Sequence, residues 1–184
     1  KKMGSLSEIR SKIQRARAAM LSDFRSEALA AGADAAALVE TRIVHTGKKS
    51  DGTPLSPYST KEAPAFFYFN RSRNNAGEKA VRSRAKRRES ISYKQFRALN
   101  GLNTDKKNLE FTGEMWQGFG VTGVTIIRPG VAEVQIGGKN ARTRALLGYH
   151  STAENTDIAE PSQQEVSQVQ AAIAERLSKL IQNA

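Results

Sequence analysis

From Leu6 to about Val44 apolar side chains return every three or four residues: Leu6, Ile9, Ile13, Ala16, Met20, Phe24, Ala28, Ala31, Ala35, Leu38 and Val39. Arg10, Lys12, Arg15, Arg17, Asp23, Arg25 and Glu27 fill positions between them, the pattern of one long amphipathic helix. A helix of that length cannot cover its own apolar stripe, so the rest of the chain must supply elements that pack along it. Gly32 is roughly 1 kcal/mol poorer than Ala in a helix, which predicts a break or bend there.

Residues 45–60, HTGKKSDGTPLSPYST, read as a turn-rich loop punctuated by Gly47, Asp51-Gly52, Pro54 and Pro57. Tyr93, Phe96 and Leu99 can share a helical turn or two before Asn100-Gly101 ends it. Two β-branched runs, about 119–127 and 131–137, joined at Pro129-Gly130, predict a hairpin. Its alternation is blurred, which predicts partial cover on both faces. After Pro161, the capping-box pattern Ser162-Gln-Gln-Glu165 opens a helix carrying Val166, Val169, Ile173, Leu177, Leu180 and Ile181. The order read along residues 1–184, taken as one domain, is long helix, loop, basic stretch, β-hairpin, loop and final helix.

The chain carries 29 Lys and Arg against 18 Asp and Glu, a net charge of +11, spread unevenly. Residues 63–107 hold 12 basic and 3 acidic side chains, while residues 108–184 hold 6 and 8. The middle stretch therefore reads as a long basic loop excursion, or arm, grafted on a nearly neutral body. Its densest part is Arg82, Arg84, Lys86, Arg87 and Arg88, with Arg71, Arg73, Lys79, Lys94 and Arg97 nearby. These five are the candidate contacts for a polyanion or an acidic partner. Just upstream stand four consecutive aromatics, Phe66, Phe67, Tyr68 and Phe69. In an extended segment they place rings on both faces, suiting packing or subunit contact, with base stacking as the sharper alternative.

Catalytic chemistry finds little to build on. With no cysteine, thiol nucleophiles, thiolate zinc sites and disulfides are excluded together. His45 and His150 supply too few imidazoles for the familiar metal sites, and neither sits in a nucleophile motif. Glu110 and Glu114 could share a helical face, but nothing nearby makes them a hydrolytic pair. The expectation is a non-enzymatic protein without cofactor or metal. The apolar runs are too short for a bilayer span and the first residues lack a signal-peptide core, so neither membrane insertion nor export is expected.

In order along the chain, the landmarks resemble the tailed-bacteriophage virion morphogenesis and tail-completion proteins. The long helix runs into G-x-x-x-D-G-x-x-x-x-x-x-Y (Gly47, Asp51, Gly52, Tyr58), with Pro54, Leu55, Ser56 and Pro57 close to the family's dG-x-P-L-S-P phrase. Tyr93 and Arg97 form Y-x-x-x-R, and Leu109, Thr112, Gly113 and Met115 form L-x-x-T-G-x-M ahead of the hairpin. A loop with Gly148, Tyr149 and His150 then precedes Pro161 and the final helix. The resemblance implies an α+β fold, a small antiparallel sheet including the 119–137 hairpin flanked by the first and last helices, and a structural virion protein of the phage neck or tail, made in the host cytoplasm. It implies one subunit of a homo-oligomeric ring joining the tail to the head–tail connector. Its partners would be the connector or portal ring and the tail terminator or tube, with DNA as a second counter-charge. The rival expectation is a basic, non-sequence-specific nucleic-acid-binding protein.

Overall fold

The computed structural model describes residues 6–110, 112–128 and 131–182. The predicted helix is present as α1 (Leu6–Thr41), about 54 Å long at 1.5 Å per residue. It passes into a π-helical turn, Arg42–Thr46, closed by Gly47 in the left-handed conformation (φ 66°). The expected break at Gly32 does not occur. Strands β3 (Phe119–Arg128) and β4 (Val131–Gly138) form the predicted antiparallel hairpin, and α1 lies across it at that point. A Cβ on Gly32 would stand 2.4 Å from Val134 Cγ1 and 2.8 Å from Val121 Cγ2. The glycine serves close helix–sheet approach and leaves the helix unbroken.

The hairpin is covered on one face only, contrary to the expectation. Register shifts at Val121/Gly123 and Ile126/Arg128 place Val121, Val124 and Ile126 opposite Ile136, Val134 and Ala132. The alternate face carries Thr122, Thr125, Glu133 and Gln135, all exposed. The bulge inserts one residue into the period of two, which is why alternation is hard to read along the strand. Pro129-Gly130 lies outside the described residues.

Helix α6 (Gln163–Gln182) runs antiparallel to α1. Arg42 Nε meets Glu165 Oε1 at 2.9 Å near the start of α6, and Arg176 reaches Glu27 and Asp34 further along at 2.9 and 2.8 Å. The capping box is made as expected: Ser162 N donates to Glu165 Oε2 (2.7 Å) and Glu165 N to Ser162 Oγ (3.2 Å). The main core gathers Ala36 and Val39 of α1 and Ile43 of the π-helical turn with Leu55, Leu109, Leu147 and Ile158. Met115 and Trp116 of α4 (Glu114–Gln117) and Phe119 complete it.

Two parts of the sequence reading are corrected. Gly148, Tyr149 and His150 lie within a helix, α5 (Ala141–Glu154), which begins where the Asn140 side chain accepts Thr143 N at 2.8 Å. Gly148 faces open space, so the helix bears only its intrinsic cost there. Residues 63–107, expected as a loop excursion apart from the helical turns at Tyr93 to Leu99, which are present, fold into a second lobe. Strand β1 (Glu62–Pro64) pairs antiparallel with β2 (Ser90–Ser92), flanked by α2 (Asn75–Lys86) and α3 (Tyr93–Leu99). Ala65, Val81, Ile91 and Phe96 form a separate small core, joined by Tyr68, Phe69 and Leu99.

The chain leaves the body near Tyr58 and returns near Asn108, and buried polar groups fasten both crossings. Glu154, with a fully buried side chain, accepts Ser56 N and Oγ (3.0 Å each) and pairs with Lys107 Nζ at 2.6 Å and Lys49 Nζ at 3.6 Å. Burial raises its pKa, but the hydrogen bonds from Lys107 and Ser56 overcome that and hold it at about 2. The sign follows: the stabilisation is complete above the ordinary value of 4.5 and is lost as pH falls through the folded value near 2.

Two outcomes are expected. Urea unfolding between about pH 5 and pH 2 loses roughly 2–3 kcal/mol of Glu154-linked stability, and Glu154→Gln, less stable at neutral pH, flattens that decline. Gly32→Ala, ordinarily stabilising in a helix, lowers stability by about 1–2 kcal/mol, because Val134 and Val121 occupy the space. Chemical denaturation reads both.

Candidate functional site

The basic lobe carries every candidate contact residue, the five cations and the four aromatics, and its local structure sorts them. Helix α2 starts where Asn74 Oδ1 accepts Gly77 N at 2.7 Å, with Glu78 in the first turn and Arg84 and Lys86 in the last, favourable at both dipole ends. Its inner face is only Gly77, Val81 and Ala85, small residues hidden among cations in the sequence. Gly77 is required, because a Cβ there would fall 2.3 Å from Asn100 Oδ1.

The five candidate cations do not form one unscreened cluster. Arg82 pairs with Glu78 at 2.8 Å, donates to Asn70 Oδ1 at 2.9 Å and lies over the Phe69 ring at 4.8 Å. Arg84 and Arg87 share Glu89, at 2.9 and 2.5 Å. The hydrogen bond from Arg87 holds the Glu89 carboxyl below its usual range. Lys86 and Arg88 are exposed and have no acidic partner among the described residues, as are Arg71, Arg73, Lys79 and Lys94. The i,i+4 spacing of Glu78 and Arg82 was the available sequence signal that part of this charge is compensated internally.

Arg97 is removed from the contact surface altogether, being 1% exposed. Its guanidinium donates to Asn103 O (3.2 Å), Glu110 O (2.8 Å) and Asn108 Oδ1 (3.0 Å), and stacks 4.1 Å above the Tyr58 ring. Tyr58 Oη donates to the same Asn108 Oδ1 at 3.0 Å, and burial pushes its hydroxyl up in pKa. Arg97 of the Y-x-x-x-R phrase is thus the fastening of the lobe, and Tyr93 of the same phrase meets Tyr58 edge-on with ring centroids 5.8 Å apart.

The aromatic run is a 3-10 turn over Ala65–Tyr68, where an extended segment was expected. Pro64 fixes its entrance, and Ala65 N donates to Glu89 O at 3.1 Å. Tyr68 stacks on Phe96 with ring centroids 4.6 Å apart, and Phe69 packs toward the lobe core under Arg82. Phe66 and Phe67 are left outside, each 55% exposed, with ring centroids 4.7 Å apart. The run that was expected to act together divides into two core rings and two surface rings.

The remaining candidates stay apart. His45 is exposed in the π-helical turn. His150 is half-buried on α5, where burial and the Lys107 charge lower its pKa. Glu110 precedes α4, so Glu110 and Glu114 do not share a helical face. Among the described residues, no three His, Asp or Glu side chains gather as metal ligands. No described helix is long and apolar enough to cross a membrane. No protein-family model, curated protein or solved structure matches the chain.

Arg97→Ala leaves the Asn103 and Glu110 carbonyls without their Arg97 donor and should cost roughly 3 kcal/mol, with Arg97→Lys recovering less than half, since one ammonium cannot span both and Asn108 Oδ1. Lys86→Ala should stay within about 0.5 kcal/mol. Urea midpoints of the variants check this ranking.

Proposed function

We propose that the chain is a structural virion protein of a tailed phage, one subunit of a ring that joins or completes the tail at the head–tail connector. The observation that carries the reading is the ordered set of phrases from Gly47 to Met115, whose residues each answer a folding requirement. Asp51 Oδ1 accepts Thr53 N at 2.8 Å ahead of a left-handed Gly52, and Leu55 enters the main core. Gly113, left-handed at φ 78°, starts α4 and delivers Met115 to the same core. Residues bound by such requirements specify a frame, so a chain that shares them in order is a good candidate to share the frame.

Ring subunits also need surfaces that their own fold leaves open. Among the described residues, β3 and β4 pair only with each other, leaving an outer edge on each strand for a neighbour. Ile127, 61% exposed, stands near the end of that hairpin. Many copies convert such individually modest contacts into a stable ring. Non-enzymatic action and the absence of a cofactor belong to the same proposal.

Peptide mass spectrometry of purified particles should recover the chain in a fixed ratio to the connector protein. The isolated chain should run as a monomer and assemble when connector is added. Absence from mature particles, with tailed virions still formed after deletion of the coding sequence, would overturn the proposal.

A further inference from the structure

We infer that the folded basic lobe is a binding surface for single-stranded nucleic acid, whose phosphates meet Arg71, Lys79, Lys86 and Arg88 and whose bases stack on Phe66 and Phe67. The inference does not rest on the virion reading. It begins from the division of the lobe's charge. Glu78 and Glu89 compensate Arg82, Arg84 and Arg87, which makes those three the scaffold of the surface. The cations left over are exposed and unpaired, so an incoming phosphate breaks no internal ion pair to reach them.

The geometry sets rings and cations side by side. The aromatic turn runs along α2: Ala65 is hydrogen-bonded to Glu89 at the C-terminal end, and Phe69 lies under Arg82 one helical turn nearer the N-terminus. Asn70 continues to Glu78, so the segment bearing Arg71 and Arg73 adjoins the first turn of α2. Phe66 and Phe67 therefore follow directly on the residue tied to Glu89, the neighbour of Arg88 in sequence, while Lys79 lies on α2 and Arg71 on the segment tied to its first turn. A cationic track beside exposed rings is what sequence-tolerant single-strand binding uses.

Other occupants fit less well. Two copies meeting through this same surface would oppose lobes in which residues 63–107 carry 12 basic and 3 acidic side chains. An acidic protein segment would satisfy the cations but gives no reason for a solvent-facing pair of phenylalanines. A duplex keeps its bases stacked internally and cannot use them.

Fluorescence anisotropy of the full chain with a labelled oligothymidylate, over about 50 to 200 mM salt, tests the inference. The wild type should bind the single strand more tightly than a duplex of equal length. Lys79→Ala/Lys86→Ala/Arg88→Asn, with Asn chosen because residue 88 has φ 58°, should flatten the log–log salt slope by about 2, at about 0.7 per lost phosphate contact. Phe66→Ala/Phe67→Ala should weaken binding roughly tenfold and leave the slope in place. Circular dichroism checks that each variant is folded, and Lys86→Gln alone replaces the triple variant if it is not. An unchanged slope in the cation variant overturns the inference. So does equal affinity for duplex, displacement by polyglutamate as effective as by oligonucleotide, or a phenylalanine variant that alters oligomeric state but not binding. None of these outcomes bears on particle composition, which tests the virion reading separately.

Discussion

Two buried charges hold the molecule together across the same pair of chain crossings. Arg97, from the lobe, reaches Asn103 O, Asn108 Oδ1 and Glu110 O on the returning segment and lies on Tyr58 of the outgoing one. Glu154, from the body, reaches Ser56 on the outgoing segment and Lys107 on the returning one. Neither charge sits against a simple partner in an apolar cavity. Each is surrounded by oriented dipoles or several donors, the condition under which a charge can be held away from water. Removing Arg97 takes the donor from the Asn103 and Glu110 carbonyls of the returning segment, and removing Glu154 takes the acceptor from Ser56 N of the outgoing segment and from the Lys107 ammonium of the returning one.

This fastening lets the lobe be basic without being loose. Its own core is small, with Ala65, Val81, Ile91 and Phe96 at its centre, too little apolar surface to hold an independent unit of this size. The Glu78 and Glu89 ion pairs relieve repulsion along α2, but they are partly solvated and contribute modestly. Stability has to arrive from the crossings. Lobe and body are therefore coupled through Arg97 and Glu154, while the exposed face of α2 is free of structural duty.

Elements with strong period were legible from the residues: α1, the hairpin strands to within a residue, and α6 with its capping box. Within the basic lobe only α3 was legible, from Tyr93, Phe96 and Leu99 ahead of Asn100-Gly101, and the reason the rest was not is physical. The stripe of α2 is Gly77, Val81 and Ala85, so its periodicity is drowned by the cations on the other face. Its N-cap, Asn74, is a residue equally at home in a turn. For α5, Gly148 imitates a loop signal although it faces open space. Among the site residues, sequence order marked where charge was dense but not which charges were spent. Arg97 looked like one more member of the cluster, and only the return of residues 103–110 over it removes it from solvent. The division of the aromatic run followed likewise from a 3-10 turn that local spacing does not announce.

The change from arm to folded lobe alters what kind of contact this charge can make. A disordered basic arm must be ordered on binding, at a cost that offsets much of the attraction its cations provide. Here α2 is already capped at Asn74, and its scaffold arginines are already engaged with Glu78 and Glu89. Lys79 and Lys86 stand two turns apart on one rigid helix, about 10.5 Å along its axis. Their separation is fixed before any partner arrives, so the ordering cost is confined to side chains. A preorganised surface of this kind favours a partner that can adjust its own spacing to the protein, which a flexible single strand does more readily than a duplex or a folded acidic domain.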